Sequence, residues 1–306
     1  MKNSFIVLGL LLCMFHHWWI PIPFQIQAGM LLTGFILLGI PHGAADILVA
    51  KYQSSATRTN FSLRNFLLQY LLQILLFGIL LWLFPIPALV VFLCIAAYHF
   101  GETDLKNIPA DNWIGKLFIS SYGLLILFFL LLTHTDEVAP IVSLIDDTAV
   151  INNSIPALQQ YQQLLLGILF IFFLIISFVF FFQQAKKKQY GSGNFLLRLS
   201  LLLLILHQLP LLLGFSFYFI IWHSSLSLQS IITGLKNTGH FYPKLLFKHL
   251  LICSGIALSG TAIFLLTLGD VKNNHQVLWY CFATLALLTA PHMLVMHRLY
   301  KWMRSN

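Results

Sequence analysis

The chain has 306 residues, of which 59% are hydrophobic and 8% charged, with a formal net charge of +8. Soluble domains carry about 25% charged residues, so this composition excludes a water-soluble fold of this length. No basic, aromatic-interleaved face accompanies the positive balance, which excludes nucleic acid as a partner; the cations lie between apolar runs, where they set orientation in a lipid bilayer.

Only helices and closed barrels satisfy their backbone in a bilayer. Runs such as 168–182 and 201–205 lack the alternation of barrel strands. The expected fold is therefore all-α: one polytopic transmembrane bundle spanning 1–306, with eight to ten and most simply ten membrane helices. In chain order, breaks at Pro, Gly and polar clusters give apolar segments near 4–20, 25–48, 65–84, 86–104, 114–133, 157–183, 194–212, 214–235, 245–268 and 276–299. The first begins with Lys2 and resembles a signal peptide. It runs on into His16-His17-Trp18-Trp19 and Pro21 without a small-residue cleavage site, which predicts an uncleaved helix. With both termini cytoplasmic, all of the 17 basic residues except Lys272 fall on the inner side, and Asp136, Glu137, Asp146 and Asp147 fall outside. Shifting the count by one span would scatter that pattern. Cys13, Cys94, Cys253 and Cys281 lie in apolar stretches without metal-ligand spacing and are expected to be small buried hydrophobes.

Four histidines stand inside these spans, in Pro41-His42-Gly43-Ala44-Ala45-Asp46, Tyr98-His99-Phe100-Gly101-Glu102-Thr103-Asp104, Trp222-His223 and Pro291-His292. Ionisable groups at membrane depth are costly, which makes function the default reading. All four spans run from outside to inside and place the histidines roughly 14–26 Å below the outer surface, compatible with one shared site. Neutral imidazoles with nearby carboxylates and no thiolates suit a transition metal. Asp46, four residues after His42, and Glu102, three after His99, share a helical face with their histidines and would orient the rings. Asp104 belongs at a helix end, solvated or paired with Lys106. Gly43 and Gly101 permit close helix approach, and Pro41 and Pro291 kink their helices. His207 is assigned a packing role, and His16, His17, His134, His240, His249, His275 and His297 interfacial ones. Tyr98, Phe100 and Trp222 either pack, face lipid or line an apolar substrate channel. No phosphate loop, Gly-x-Ser-x-Gly elbow or His-Glu-x-x-His motif is present, and the histidine boxes of membrane di-iron desaturases are absent as well.

The ordered set Pro-His-Gly-Ala-Ala-Asp, Tyr-His-Phe-Gly-Glu-x-Asp, Trp-His-Ser and Pro-His-Met-Leu, over residues 39 to 297, resembles the bacteriorhodopsin-related protein family of bacterial and archaeal β-carotene 15,15′-dioxygenases. The resemblance implies Fe(II)- and O2-dependent cleavage of the central double bond of β-carotene to two retinals. The enzyme would sit in the cytoplasmic membrane and supply a microbial rhodopsin. It implies a metal held by His42, His99, His223 and a fourth ligand. In that family the Trp-His motif often continues to a second histidine one turn later; here that position is Ser227, which leaves His292 as the substitute ligand and Ser227 beside the site. Two other classes fit the same residues. A metal-ion or proton-coupled transporter would use the His/Asp/Glu cluster transiently, but such proteins favour inverted repeats, and none is evident. A pigment-binding protein without chemistry would keep its carotenoid after loss of His42 or His99 and hold no stoichiometric metal.

Overall fold

A computed structural model describes the chain except for residues 58, 109–111, 144–148, 187–192, 238–240, 268–273 and 306, and except for the side chains of 149–154, 186, 193, 264–267, 274–278, 281 and 305. The expected positions of Arg58, Lys187, Lys188, Asp146, Asp147, His240 and Lys272, and of the Lys186, His275 and Cys281 side chains, lie outside the described residues.

The described chain is helical, and each of the ten expected segments coincides with a helix. In order these are α1 (Lys2–Met14), α2 (Phe24–Ala56), α3 (Leu63–Leu83), α4 (Pro85–Asp104), α5 (Trp113–Thr133), α6 (Thr135–Val142), α7 (Ala149–Gln160), α8 (Gln162–Lys186), α9 (Gly193–Gln208), α10 (Leu211–Asn237), α11 (Pro243–Thr267) and α12 (Asn274–Ser305). Among the described residues seven helices are long and apolar enough to cross a membrane, namely α2, α3, α4, α5, α8, α10 and α11. α3 buries none of its residues, and α8 and α11 few. Their outward Leu, Ile and Phe side chains face the hydrocarbon region, in which apolar exposure carries no penalty. The chain forms an all-α polytopic membrane bundle.

The sequence predicts a loop over 134–156, whereas among the described residues α6 and α7 lie there. There Glu137 accepts the backbone N–H of Leu211 at 3.1 Å, which places a carboxylate at the N-terminus of α10. Polar contacts sort the helix ends into two faces. One face joins Lys2 to the Asp104 carbonyl, Arg198 to Asn3 and Arg304 to Glu102. The other joins His17 to the Gln208 carbonyl and His134 to the Leu209 carbonyl. Lys2, Arg198 and Arg304, expected on one side, thus do meet on one face.

Two departures from regular winding position the centre of the bundle. α2 passes through a π-helical turn at Phe35–Gly39, and α10 through one at Phe217–Ser224. The first directly precedes Pro41, whose missing N–H leaves the Leu37 carbonyl without its α-helical donor. α2 breaks again at Ala45 (φ −76°, ψ −9°). α4 and α5 cross in very close contact. A Cβ at Gly123 would overlap the Ala97 carbonyl oxygen, and one at Gly101 the Ile119 carbonyl oxygen, so the expectation of close approach at Gly101 holds. At Gly43 it does not, since a Cβ there would meet His292 Nδ1 at an ordinary 3.8 Å.

Candidate active site

His42 on α2, His99 on α4, His223 on α10 and His292 on α12 converge at the centre, each 5% exposed or less. Their rings form a closed square. Centroid distances are 4.8 Å for His42–His292, 5.3 Å for His292–His99, 4.9 Å for His99–His223 and 5.8 Å for His223–His42. Neighbouring rings meet nearly perpendicularly, at 74–86°. The rings thus meet at one level despite the spread of depths counted along the sequence.

The ring nitrogens divide into anchored and free. His42 Nδ1 lies 3.1 Å from the Leu38 carbonyl oxygen; a carbonyl only accepts, so Nδ1 carries the proton and Nε2 keeps its lone pair. His292 Nδ1 lies 2.8 Å from Asp46 Oδ1, which fixes the same tautomer. His292 Nε2, both nitrogens of His99 and Nδ1 of His223 are buried without any hydrogen-bond partner. Buried polar atoms are nearly always paired, so a group of orphaned imidazole nitrogens around one point marks a place for an electrophile. Among the described residues, no three His, Cys, Asp or Glu side chains already stand at bonding distance around such a point. The square is open rather than drawn tight.

The supporting carboxylates differ from expectation. Asp46 does not orient His42. It accepts instead from His292 across 246 residues and from the Tyr70 hydroxyl at 3.0 Å. The break at Ala45 rotates Asp46 off the face of His42 and toward α12. Glu102 does not orient His99 either. It receives Arg304 Nη2 at 2.9 Å and His297 Nδ1 at 3.0 Å, with Tyr98 Oη at 3.5 Å, so His297 is a partner of Glu102 and not simply interfacial. Asp104 is neither solvated nor paired with Lys106. It is 5% exposed, and its Oδ2 accepts from Tyr122 Oη and Trp222 Nε1 at 3.0 Å each and from Tyr218 Oη at 3.4 Å. Ser227 is fully buried beside Tyr300 and makes no hydrogen bond to the square. Of the cysteines, Cys13 is buried as expected, but Cys94 is exposed on the bundle surface. His207 packs against Phe129.

An apolar cavity of about 280 Å³ lies behind Phe100 and Phe219, the two rings that touch the square, its walls formed also by Phe77, Phe92, Phe215 and Trp279 among others. Thr289 and Trp279 are the two lining side chains with a polar atom among the described residues. Phe100 lies 4.6 Å from His223, and Phe219 lies 6.1 Å from His42 and stacks on His223 at 6.0 Å. Of the three aromatic candidates, Phe100 lines this cavity. Trp222 holds Asp104 instead, and Tyr98 packs against His297. On the far side of Phe215, Phe219 and Phe282 lies a smaller void of about 20 Å³ bounded also by Leu31 and Phe35. Phe219 and Tyr70 carry no motif in the sequence and gain their roles only from other helices.

These residues match known proteins over most of their length. A β-carotene 15,15′-dioxygenase from an uncultured marine bacterium (66A03) is 26% identical over 273 residues, covering 87% of this chain and 91% of that one. No solved structure matches. The sequence profile of the family described as "Beta-carotene 15,15'-dioxygenase" matches residues 33–300, which include all four converging histidines, and the chain belongs to that family.

Proposed function

We propose that this chain cleaves the 15,15′ double bond of β-carotene with O2 to give two molecules of retinal, using Fe(II) held by His42, His99, His223 and His292. The observation that carries the reading is the square of buried imidazoles with orphaned nitrogens, separated from an apolar cavity only by Phe100 and Phe219, in a member of this family. His42, His99, His223 and His292 would hold the ion between rings whose neighbouring centroids lie 4.8, 5.3, 4.9 and 5.8 Å apart. Four neutral ligands leave the ion its full charge, and bound iron would supply the activation of O2.

The protein's own groups do the rest. Asp46 and the Leu38 carbonyl hold the Nδ1 protons of His292 and His42, so that both rings present Nε2. The aromatic cavity takes a polyene with no charged handle directly from the bilayer and excludes water. Phe100 and Phe219 hold it against the square, making the position of cleavage a matter of placement. The reaction balances without an external reductant: one carbon–carbon double bond and one O2 give two aldehydes. Retinal so formed would serve a microbial rhodopsin in the same cytoplasmic membrane. The transporter reading gains nothing from the geometry, since the cavity walls are apolar and would not carry an ion.

The test is pigment extraction from β-carotene-producing bacteria that express this chain or His42→Ala. Loss of β-carotene with two equivalents of retinal, abolished in the variant, is expected. Unchanged β-carotene in iron-replete cells with confirmed membrane expression would refute the proposal.

A further inference from the structure

A second cavity of about 260 Å³ opens at the face of the bundle that carries Lys2, well apart from the apolar one. It is lined by Lys2, Lys106, Arg198, Asp104, Asn107 and Tyr122, with Leu199 and Leu226 along its inner wall. Three cations thus surround one carboxylate, of which Asp104 Oδ2 takes hydrogen bonds from Tyr122, Trp222 and Tyr218 while Oδ1 is buried without a partner. Lys2 Nζ donates to the Asp104 backbone carbonyl at 2.6 Å and sits 6.0 Å from the centre of the Trp222 ring. Lys106 has only a 3.3 Å contact to Ser230 Oγ, and Arg198 has only Nε on Asn3 Oδ1 at 3.1 Å. Neither forms an ion pair among the described residues, and the terminal guanidinium nitrogens of Arg198 make no hydrogen bond there. Burial, and then the nearby charge of Lys2, push the Lys106 ammonium below its usual range.

A half-enclosed pocket with surplus positive charge is under mutual repulsion that an anion would relieve. A planar guanidinium and an ammonium together match a phosphate, which takes two parallel bonds from the first and a point charge from the second. The face also carries Arg304, and clusters of cations beside membrane helices attract lipid phosphates.

We propose that this cavity binds a phosphate-bearing anion through Arg198 and Lys106, with Lys2 closing the pocket from above. The phosphate comes from a lipid headgroup or from free phosphate, and the two sources are separable. Full-length protein in uncharged detergent, stripped of lipid, would be followed by thermal unfolding with short-chain phosphatidylglycerol, short-chain diacylglycerol or inorganic phosphate. A rise in the unfolding midpoint with phosphatidylglycerol alone assigns a lipid site, and a rise with inorganic phosphate as well assigns a free-anion site. The paired variant Arg198→Gln with Lys106→Met should weaken the binding that produces the rise about tenfold or more. Arg64→Ala, which removes an exposed cation elsewhere, should leave it intact and serves as the control for bulk charge. Arg198→Lys keeps the charge and should retain part of the shift if the paired variant folds poorly. No shift with either phosphate compound, an equal shift with diacylglycerol, or an equal shift in the paired variant overturns the proposal.

Discussion

Replacing Asp46 separates the support of the site from the site itself. The carboxylate accepts two buried hydrogen bonds, from His292 Nδ1 at 2.8 Å and from Tyr70 Oη at 3.0 Å. In a water-soluble protein, orphaning two donors would cost about 2–6 kcal/mol. In a bilayer the unfolded helices also find partners, and measured interhelical bonds average about 0.6 kcal/mol each. The smaller figure governs here, so Asp46→Ala should cost roughly 1–2 kcal/mol of stability. Its effect on the metal should be larger, because losing the carboxylate behind a ligating imidazole typically weakens binding about 10–100-fold. Asp46→Asn keeps an oxygen for the His292 N–H and loses the charge, so it should fold like the parent and still bind iron more weakly. The assay is competition for iron against a graded chelator in the purified protein, with thermal unfolding run in parallel. Parent-like iron affinity in both variants would refute the reasoning, and with it the assignment of His292 as a ligand. Iron loss that merely tracks unfolding would also refute it.

Other outcomes follow from the same geometry. Gly123→Ala drives a methyl group into the Ala97 carbonyl where α4 and α5 cross. It should destabilise by about 1–3 kcal/mol or more and lower retinal yield by displacing His99; parent-like melting would count against the crossing. Phe219→Ala removes the wall between the two apolar cavities. Turnover should fall, and aldehydes of unequal length should appear beside retinal on chromatography, whereas a retinal-only profile would sink the idea of a wall that sets the cleavage position. Glu102→Ala leaves Arg304 buried and unpaired, an arrangement worth about 3–5 kcal/mol in soluble proteins. A marked loss of membrane-folded protein is expected, with Arg304→Met in the same chain restoring part of it.

The helices were legible because bilayer spans announce themselves through length and hydropathy, and the four histidines because charge-capable groups are conspicuous there. What could not be read was partnership. The spacing of Asp46 from His42 predicts one shared face only while the helix continues, and Ala45 interrupts it. Glu102 does share a helix with His99, yet a full cation arrives from α12, and a guanidinium 2.9 Å away prevails over a neutral ring on its own helix. Asp104 looked like a helix end bound for water because nothing local reveals that Tyr122, Tyr218 and Trp222 will surround it. Spacing fixes a direction on one helix, and the residue met in that direction is chosen by tertiary packing.

The turn of α4 from Glu102 to Asp104 is held by Lys2 near the start of the chain and by Arg304 near its end, while Asp46 waits for a histidine 246 positions later. During synthesis, α2 and α4 therefore enter the membrane long before their partners on α12 exist. Asp46 lacks His292, and Glu102 lacks His297 and Arg304, until the final helix has left the ribosome. Insertion and maturation are thus distinct events for this chain, and a nascent form halted before residue 292 would be membrane-integrated yet unable to assemble its centre.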